Sequence, residues 1–312
     1  MGISRRAVVA AACLPTIWRP AWAGESALLA PTWDGQRAGL VSIFRDRINW
    51  QRSLPERAHG LAVGPSGVLI APRRFASTMR VVDPSSGDTR AEYHYRDGHW
   101  SSGHAVHWRG HWWVAESRDD QGSCIGVYDS GLRRLGERVL PGLEPHELCL
   151  LNNELFVAMG GYDWHSAVPQ GPLNSGRPDS RLLRLTVIGD LQSWVAPPGV
   201  SWRHLGADSG GLWIGSQNTR TGPTLYWFNG ASVVSVARGP VNYVSSIQDG
   251  DLWASSESSE AALGGAPTTL SGASGVARVG GIAVATTRLG AIAWGSQVFQ
   301  TGFAFDNHCL AI

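Results

Sequence analysis

Short apolar or alternating segments, separated by Gly and polar turns, recur along the chain in groups of four. After His104 they fall at residues 111–116, 124–129 and 134–140; after His59 at 67–71, 79–83 and 89–95; after His204 at 212–216, 225–228 and 233–237. Alternation over so few residues between turn signals reads as β-strand, not helix. The first segment of each group is also alike in sequence. His59-Gly60-Leu61-Ala62-Val63 resembles His104-Ala105-Val106-His107-Trp108, and both resemble His146-Glu147-Leu148-Cys149-Leu150 and His204-Leu205-Gly206-Ala207. Asn242-Tyr243-Val244 and Ser274-Gly275-Val276-Ala277 hold the next two places, and His308-Cys309-Leu310-Ala311-Ile312 ends the chain.

A unit of about 40 residues containing four short strands is the signature of a β-propeller blade. Seven copies of the innermost strand predict an all-β fold, a seven-bladed β-propeller of the WD40/YVTN-like kind. The last copy leaves no room for three further strands. Segments 26–31, 39–44 and 48–54 are otherwise unassigned, so one C-terminal strand and three N-terminal strands are expected to close the ring and to remove its free edges.

Composition adds a location. Residues 1–23 combine Ser4-Arg5-Arg6, an apolar stretch from Ala7 and the small-x-small Ala21-Trp22-Ala23, which predicts a twin-arginine (Tat) export signal followed by a single domain over 24–312 and a periplasmic protein. The 312 residues contain no Lys, and the net charge of +1 falls to near −2 once Arg5, Arg6 and Arg19 leave with the signal. Such a chain has no electrostatic reason to bind nucleic acid, and no later apolar run is long enough to span a bilayer. A monomer is expected. After loss of Cys13, Cys124, Cys149 and Cys309 remain. An odd number of thiols is no disulfide framework; buried free thiols are the favoured reading, with a Cys149–Cys309 bridge as the alternative.

The polar residues fall in a pattern that suggests chemistry. Five of seven inner strands begin with His: His59, His104, His146, His204 and His308. Propeller topology puts those starts around the central channel on one face. With Glu147 they form a candidate metal set, since neutral imidazole suits iron and copper. The alternative is structural His, hydrogen-bonded within a blade or packed between blades. Arg73, Arg74, Glu116, Gln217 and Asn242 fall near the same face and are candidate ligand-binding residues, the paired guanidiniums being suited to an anion. An insertion at 160–180 is long enough to cover the channel mouth. Walker, nucleophile-elbow, zincin and haem-attachment motifs are absent.

Pro145-His146-Glu147-Leu148, Ile125-Gly126-Val127-Tyr128-Asp129, Gly103-His104-Ala105-Val106, Arg73-Arg74-Phe75 and Asp306-Asn307-His308 resemble a bacterial family of Tat-exported seven-bladed propellers known as domain of unknown function 1513. The resemblance implies periplasmic iron or other metal handling beside imelysin-like and cytochrome-like iron-uptake proteins, and it supplies no catalytic residue. Three functions are therefore carried forward. The first is a periplasmic accessory protein holding a transition metal at the His-ringed channel. The second is a metal-dependent propeller enzyme, an oxidoreductase or lactonase-like hydrolase. The third is a protein-interaction scaffold.

Overall fold

Gly and polar turns cut the apolar runs into strands short enough to form tight meanders, and the structure is built from these. A computed structural model describes residues 27–120, 122–174, 177–186, 189–217, 225–236, 246–248, 252–254, 260–263, 266–270, 272–306, 308 and 310–312. The proposed signal 1–23 lies outside them. Among the described residues the strands form seven four-stranded antiparallel sheets, arranged as an all-β propeller. The innermost strands are Ala58–Gly64, His99–Trp108, Pro145–Leu151, Ser201–Asp208, Ser246–Gln248, Ala273–Val279 and Leu310–Ala311.

The last sheet joins the two ends of the chain. Leu310–Ala311 pairs with Leu28–Trp33, which pairs with Ala38–Phe44 and then Arg47–Leu54. Leu28 faces Ala311 and Leu29 faces Leu310 across this ladder. Ala27 and Ile312 exchange both backbone hydrogen bonds at 2.9 Å. The N-terminal strands begin and end within two residues of the positions that the alternation predicts.

The core lies between sheets. Leu69, Met79 and Val81 of one sheet pack on Trp112, Val114 and Tyr128 of the next, and Ala115 and Ile125 pack on Leu155, Val157 and Leu183 of the sheet after that. Trp108, Trp112, Trp113 and Trp194 take part in this packing. Trp213 and Trp227 instead face each other across adjacent strands of one sheet, with ring centroids 4.9 Å apart. Cys124 and Cys149 carry free thiols; Cys309 lies outside the described residues. Among the described residues no helix is long and apolar enough to cross a membrane.

Inner strands crowd each other near the axis, and one glycine is required there. A Cβ on Gly60 would run into the carbonyl oxygen of Gly103 and approach Cα and Nδ1 of His104 at 3.2 Å. Backbone cannot yield as a flexible side chain can. Gly60→Ala is expected to destabilise the fold by roughly 1–3 kcal/mol, read as a lower melting temperature.

Candidate metal centre and channel mouth

Each well-described inner strand carries a register break where its polar residues stand. The ladder skips a residue between Ala58 and Gly60, Pro145 and Glu147, Trp202 and His204, and Ala273 and Gly275, and it skips further between Ser101 and Ala105. A bulge re-aims side chains and lets neighbours in sequence face the same way. It sorts the inner residues into two adjacent layers. His59, His146, Arg203 and Ser274 occupy the bulge itself. Gly60, Glu147, His204 and Gly275 come one residue later, where the ladder resumes; in the second sheet it resumes at Ala105, so His104 stands directly before it and its ring meets both groups, His59 and His146 on one side and His204 and His308 on the other. This corrects the sequence alignment, which places all the His at one repeat position. The one-residue offset in the fourth sheet hides Arg203 as the true counterpart of His59 and His146.

All five imidazoles nevertheless converge. Ring centroids lie 5.0 Å apart for His59–His104, 5.4 Å for His59–His146, 5.1 Å for His59–His308, 5.0 Å for His104–His146, 4.5 Å for His104–His308, 5.9 Å for His104–His204, and 5.1 Å for both His146–His204 and His204–His308. His104, His146, His204 and His308 are buried. The Nε2 atoms of His59, His104, His146 and His308 are buried without a hydrogen-bond partner among the described residues. Burial, the leading cause, depresses the pKa of every ring: His204 to about 3, His308 to about 4, and the other three well below the ordinary value. The cluster is neutral at neutral pH.

The layers differ in chemistry. In the lower one, His104, His204 and His308 offer ligand atoms within 4.8 Å of one another. Glu147 Oε2 accepts from His204 Nδ1 and from the Leu205 backbone N–H, each at 3.0 Å, and Oε1 lies 3.7 Å from His104 Nδ1. A carboxylate on Nδ1 fixes the tautomer that leaves the Nε2 lone pair for a metal. Burial raises the Glu147 pKa to about 7, with His308 and the Leu205 N–H opposing the shift. In the upper layer, His59, His104 and His146 make a second triple, but Arg203 Nη2 donates to His146 Nδ1 at 3.0 Å. That bond places the His146 proton on Nε2, so this ring offers a donor, not a lone pair.

Above the upper layer opens a cavity of about 360 Å³ lined by Arg57, Arg73, Arg74, Arg203, Arg288, His59, His146, Ser102, Trp164 and Gln217. Arg74 and Arg203 share the buried carboxylate of Glu144, which also accepts from Trp164 Nε1 at 3.0 Å. Arg57 pairs through two nitrogens with Asp306. The insertion contributes Trp164, whose ring stacks on the Arg74 guanidinium at 3.6 Å. It is anchored by Ser166 on Asp119 and by Asn174 on Gly161. Through Trp164 it contributes one side chain to the wall of the mouth.

Of the sequence candidates, His59, His104, His146, His204, His308 and Glu147 meet at the axis, and Arg73, Arg74 and Gln217 line the mouth. Gln217 accepts from Arg203 Nη1 at 2.5 Å. Glu116 does not belong there. It stands on the strand His111–Arg118, away from the channel mouth and fully buried, holding His99 at 3.1 Å, Arg134 at 3.0 Å and the Tyr128 hydroxyl. These partners satisfy its oxygens, and Cys124 beside them has its thiol pushed up to about 12, by burial first. Asn242 lies outside the described residues. The sequence reading missed Arg203, Glu144, Arg57 and Asp306. Their only signal is adjacency: Arg203 precedes His204, Glu144 stands before Pro145-His146, and Asp306 is two residues from His308.

Comparison with solved structures agrees with the fold. A functionally unknown protein from Desulfotomaculum acetoxidans matches with a TM-score of 0.58 at 9% identity, covering 91% of this chain and 98% of its own. A protein of unknown function from Bacteroides caccae gives 0.56 at 10% identity, with 93% and 99% covered. The RRP9 WD40 repeats give 0.56 at 11% identity, with 84% and 89% covered. At such identities the likeness shows the fold alone. No curated protein matches the sequence. A family match does extend over residues 52–226, more than half of the sequence, and by it the chain belongs to the family described as "Protein of unknown function (DUF1513)".

Proposed function

We propose that the protein is a periplasmic metal-binding accessory protein that holds one transition-metal ion between His104, His204 and His308, with Glu147 as the outer carboxylate. The observation that carries this reading is the convergence of three neutral, buried imidazoles, two of them facing one carboxylate through Nδ1. Imidazoles bound to a tetrahedral ion at 2.0–2.1 Å place their ring centroids about 5 Å apart, and these three lie 4.5, 5.1 and 5.9 Å apart. Three neutral nitrogens suit iron, copper, zinc or nickel and discriminate against magnesium and calcium. The seven sheets, closed through the C-terminal strand, hold His104, Glu147 and His204 on three separate strands and His308 just before a fourth, so the site exists only in the folded ring. Delivery through the twin-arginine signal and work beside imelysin-like or cytochrome-like iron-uptake proteins belong to the same reading.

The test is metal content and affinity. Protein exported through its own signal is expected to carry close to one ion per chain. His104→Ala with His204→Ala is expected to lower affinity at least a hundredfold, and Glu147→Gln by 10–100-fold. Absence of bound metal, with no shift in melting temperature on adding iron, copper or zinc, would contradict the proposal.

A further inference from the structure

We propose a second binding site in the cavity above the imidazole cluster, which takes a small polyanion bearing two or more carboxylate or phosphate groups. Four observations carry it. The first is charge. Leaving Arg288 aside, Arg57, Arg73, Arg74 and Arg203 are met, among the described residues, by two carboxylates that contact these guanidiniums, Asp306 and Glu144. The Arg73 pKa is lowered, by the partial burial of its guanidinium first and then by Arg57 and Arg288, with Asp306 opposing them.

The second observation is that buried nitrogens stand idle. The Nε atoms of Arg74 and Arg203 and the Nε2 atoms of His59 and His146 are buried with no hydrogen-bond partner among the described residues. Arg203 sets the His146 tautomer so that Nε2 carries a proton. Buried polar groups without partners cost stability and mark places where a ligand completes the network. The third is geometry. Guanidiniums bind carboxylate and phosphate through parallel hydrogen bonds; Arg74 and Arg203 are both held by Glu144, and Arg74 also by the Trp164 ring, so little rotamer freedom is lost on binding. The fourth is size. About 360 Å³ suits a small molecule, at the low end of ordinary ligand pockets.

This site does not depend on the metal reading, because it lies on the other side of the upper imidazoles and its donors are those of the metal-free chain. The test therefore uses full-length, chelator-treated protein. Citrate, pyrophosphate and sulfate are titrated by calorimetry at low ionic strength, with Trp fluorescence as a second signal through Trp164. Citrate, pyrophosphate or both should bind at least tenfold more tightly than sulfate, and the preferred one names the source of the anionic groups. Arg73→Gln should weaken that binding at least tenfold while its melting temperature stays within a few degrees of the parent, since Arg73 is exposed. Arg90→Gln, on an outer strand beside Asp83, should leave the binding unchanged. No binding of any of the three anions at 10 mM, or equal affinity in Arg73→Gln and the parent, would overturn the proposal.

Discussion

Truncation after Gly302 is expected to abolish the cooperative melting transition. The ten residues lost supply Phe305, which is buried among Leu28, Ala30, Val41 and Ile43, and Asp306, the partner of Arg57. They also supply the inner strand of the closing sheet. Trp33 and Asp306 further tie this segment to Leu28–Trp33, with backbone bonds of 2.9 Å to Ala304 and Pro31. Loss of a buried Phe side chain alone costs about 3–5 kcal/mol, against a whole-domain stability of roughly 5–15 kcal/mol. Deleting the strand also leaves Arg57 without its buried acid and exposes a ladder edge. Phe305→Ala in the intact chain separates the two effects. It is expected to melt cooperatively but several degrees lower. A truncated chain that melted like the parent would show that the ring does not need its C-terminal strand.

Acid should unfold the metal-free protein over a narrow range. Each axial ring has a folded pKa below its unfolded value of about 6.5, so the unfolded chain binds the proton first and stability falls as pH drops through 6.5 toward the folded pKa. With His204 at about 3 and His308 at about 4, each of these two rings costs roughly 2 kcal/mol by pH 5, and His59, His104 and His146, lowered by burial first, act in the same direction. Glu147 acts with the opposite sign. Its folded pKa of about 7 lies above the ordinary 4.5, so it takes up a proton in the native state as pH falls from 7 to 5 and offsets about one ring. Five rings act against one carboxylate, so the net effect of acid is a loss of stability that is large beside the roughly 5–15 kcal/mol of an ordinary domain. Urea midpoints of chelator-treated protein should fall steeply between pH 6.5 and 5 and be nearly flat between pH 7.5 and 8.5. A midpoint unchanged at pH 5 would mean that the rings are solvated and not packed together.

The repeat made most of this legible in advance. A His at the start of successive inner strands, one per blade, has to approach the axis however far apart the residues lie in sequence, and the five do meet. Register was not legible. Bulges at His59, His146 and Arg203 shift the pairing by one residue, and a single chain offers no pattern that distinguishes a bulged strand from a regular one. For the same reason Arg203 was passed over while its neighbour His204 was chosen. Glu116 misled because it follows an apolar run at a strand end that looks like a loop; its partners Tyr128 and Arg134 come from neighbouring strands, and only the folded sheet brings them together. The pairing of Glu144 with Arg74 and Arg203 joins three sheets and leaves no trace in local sequence.

The central claim is that the lower imidazole layer holds an ion. X-ray absorption at the zinc edge, on protein loaded with one equivalent of Zn²⁺, tests it most directly. The predicted result is a first shell containing three imidazole nitrogens at about 2.0–2.1 Å, lost when His104 and His204 are both replaced by Ala. An oxygen-only shell, or a nitrogen shell unchanged by that double replacement, would contradict it.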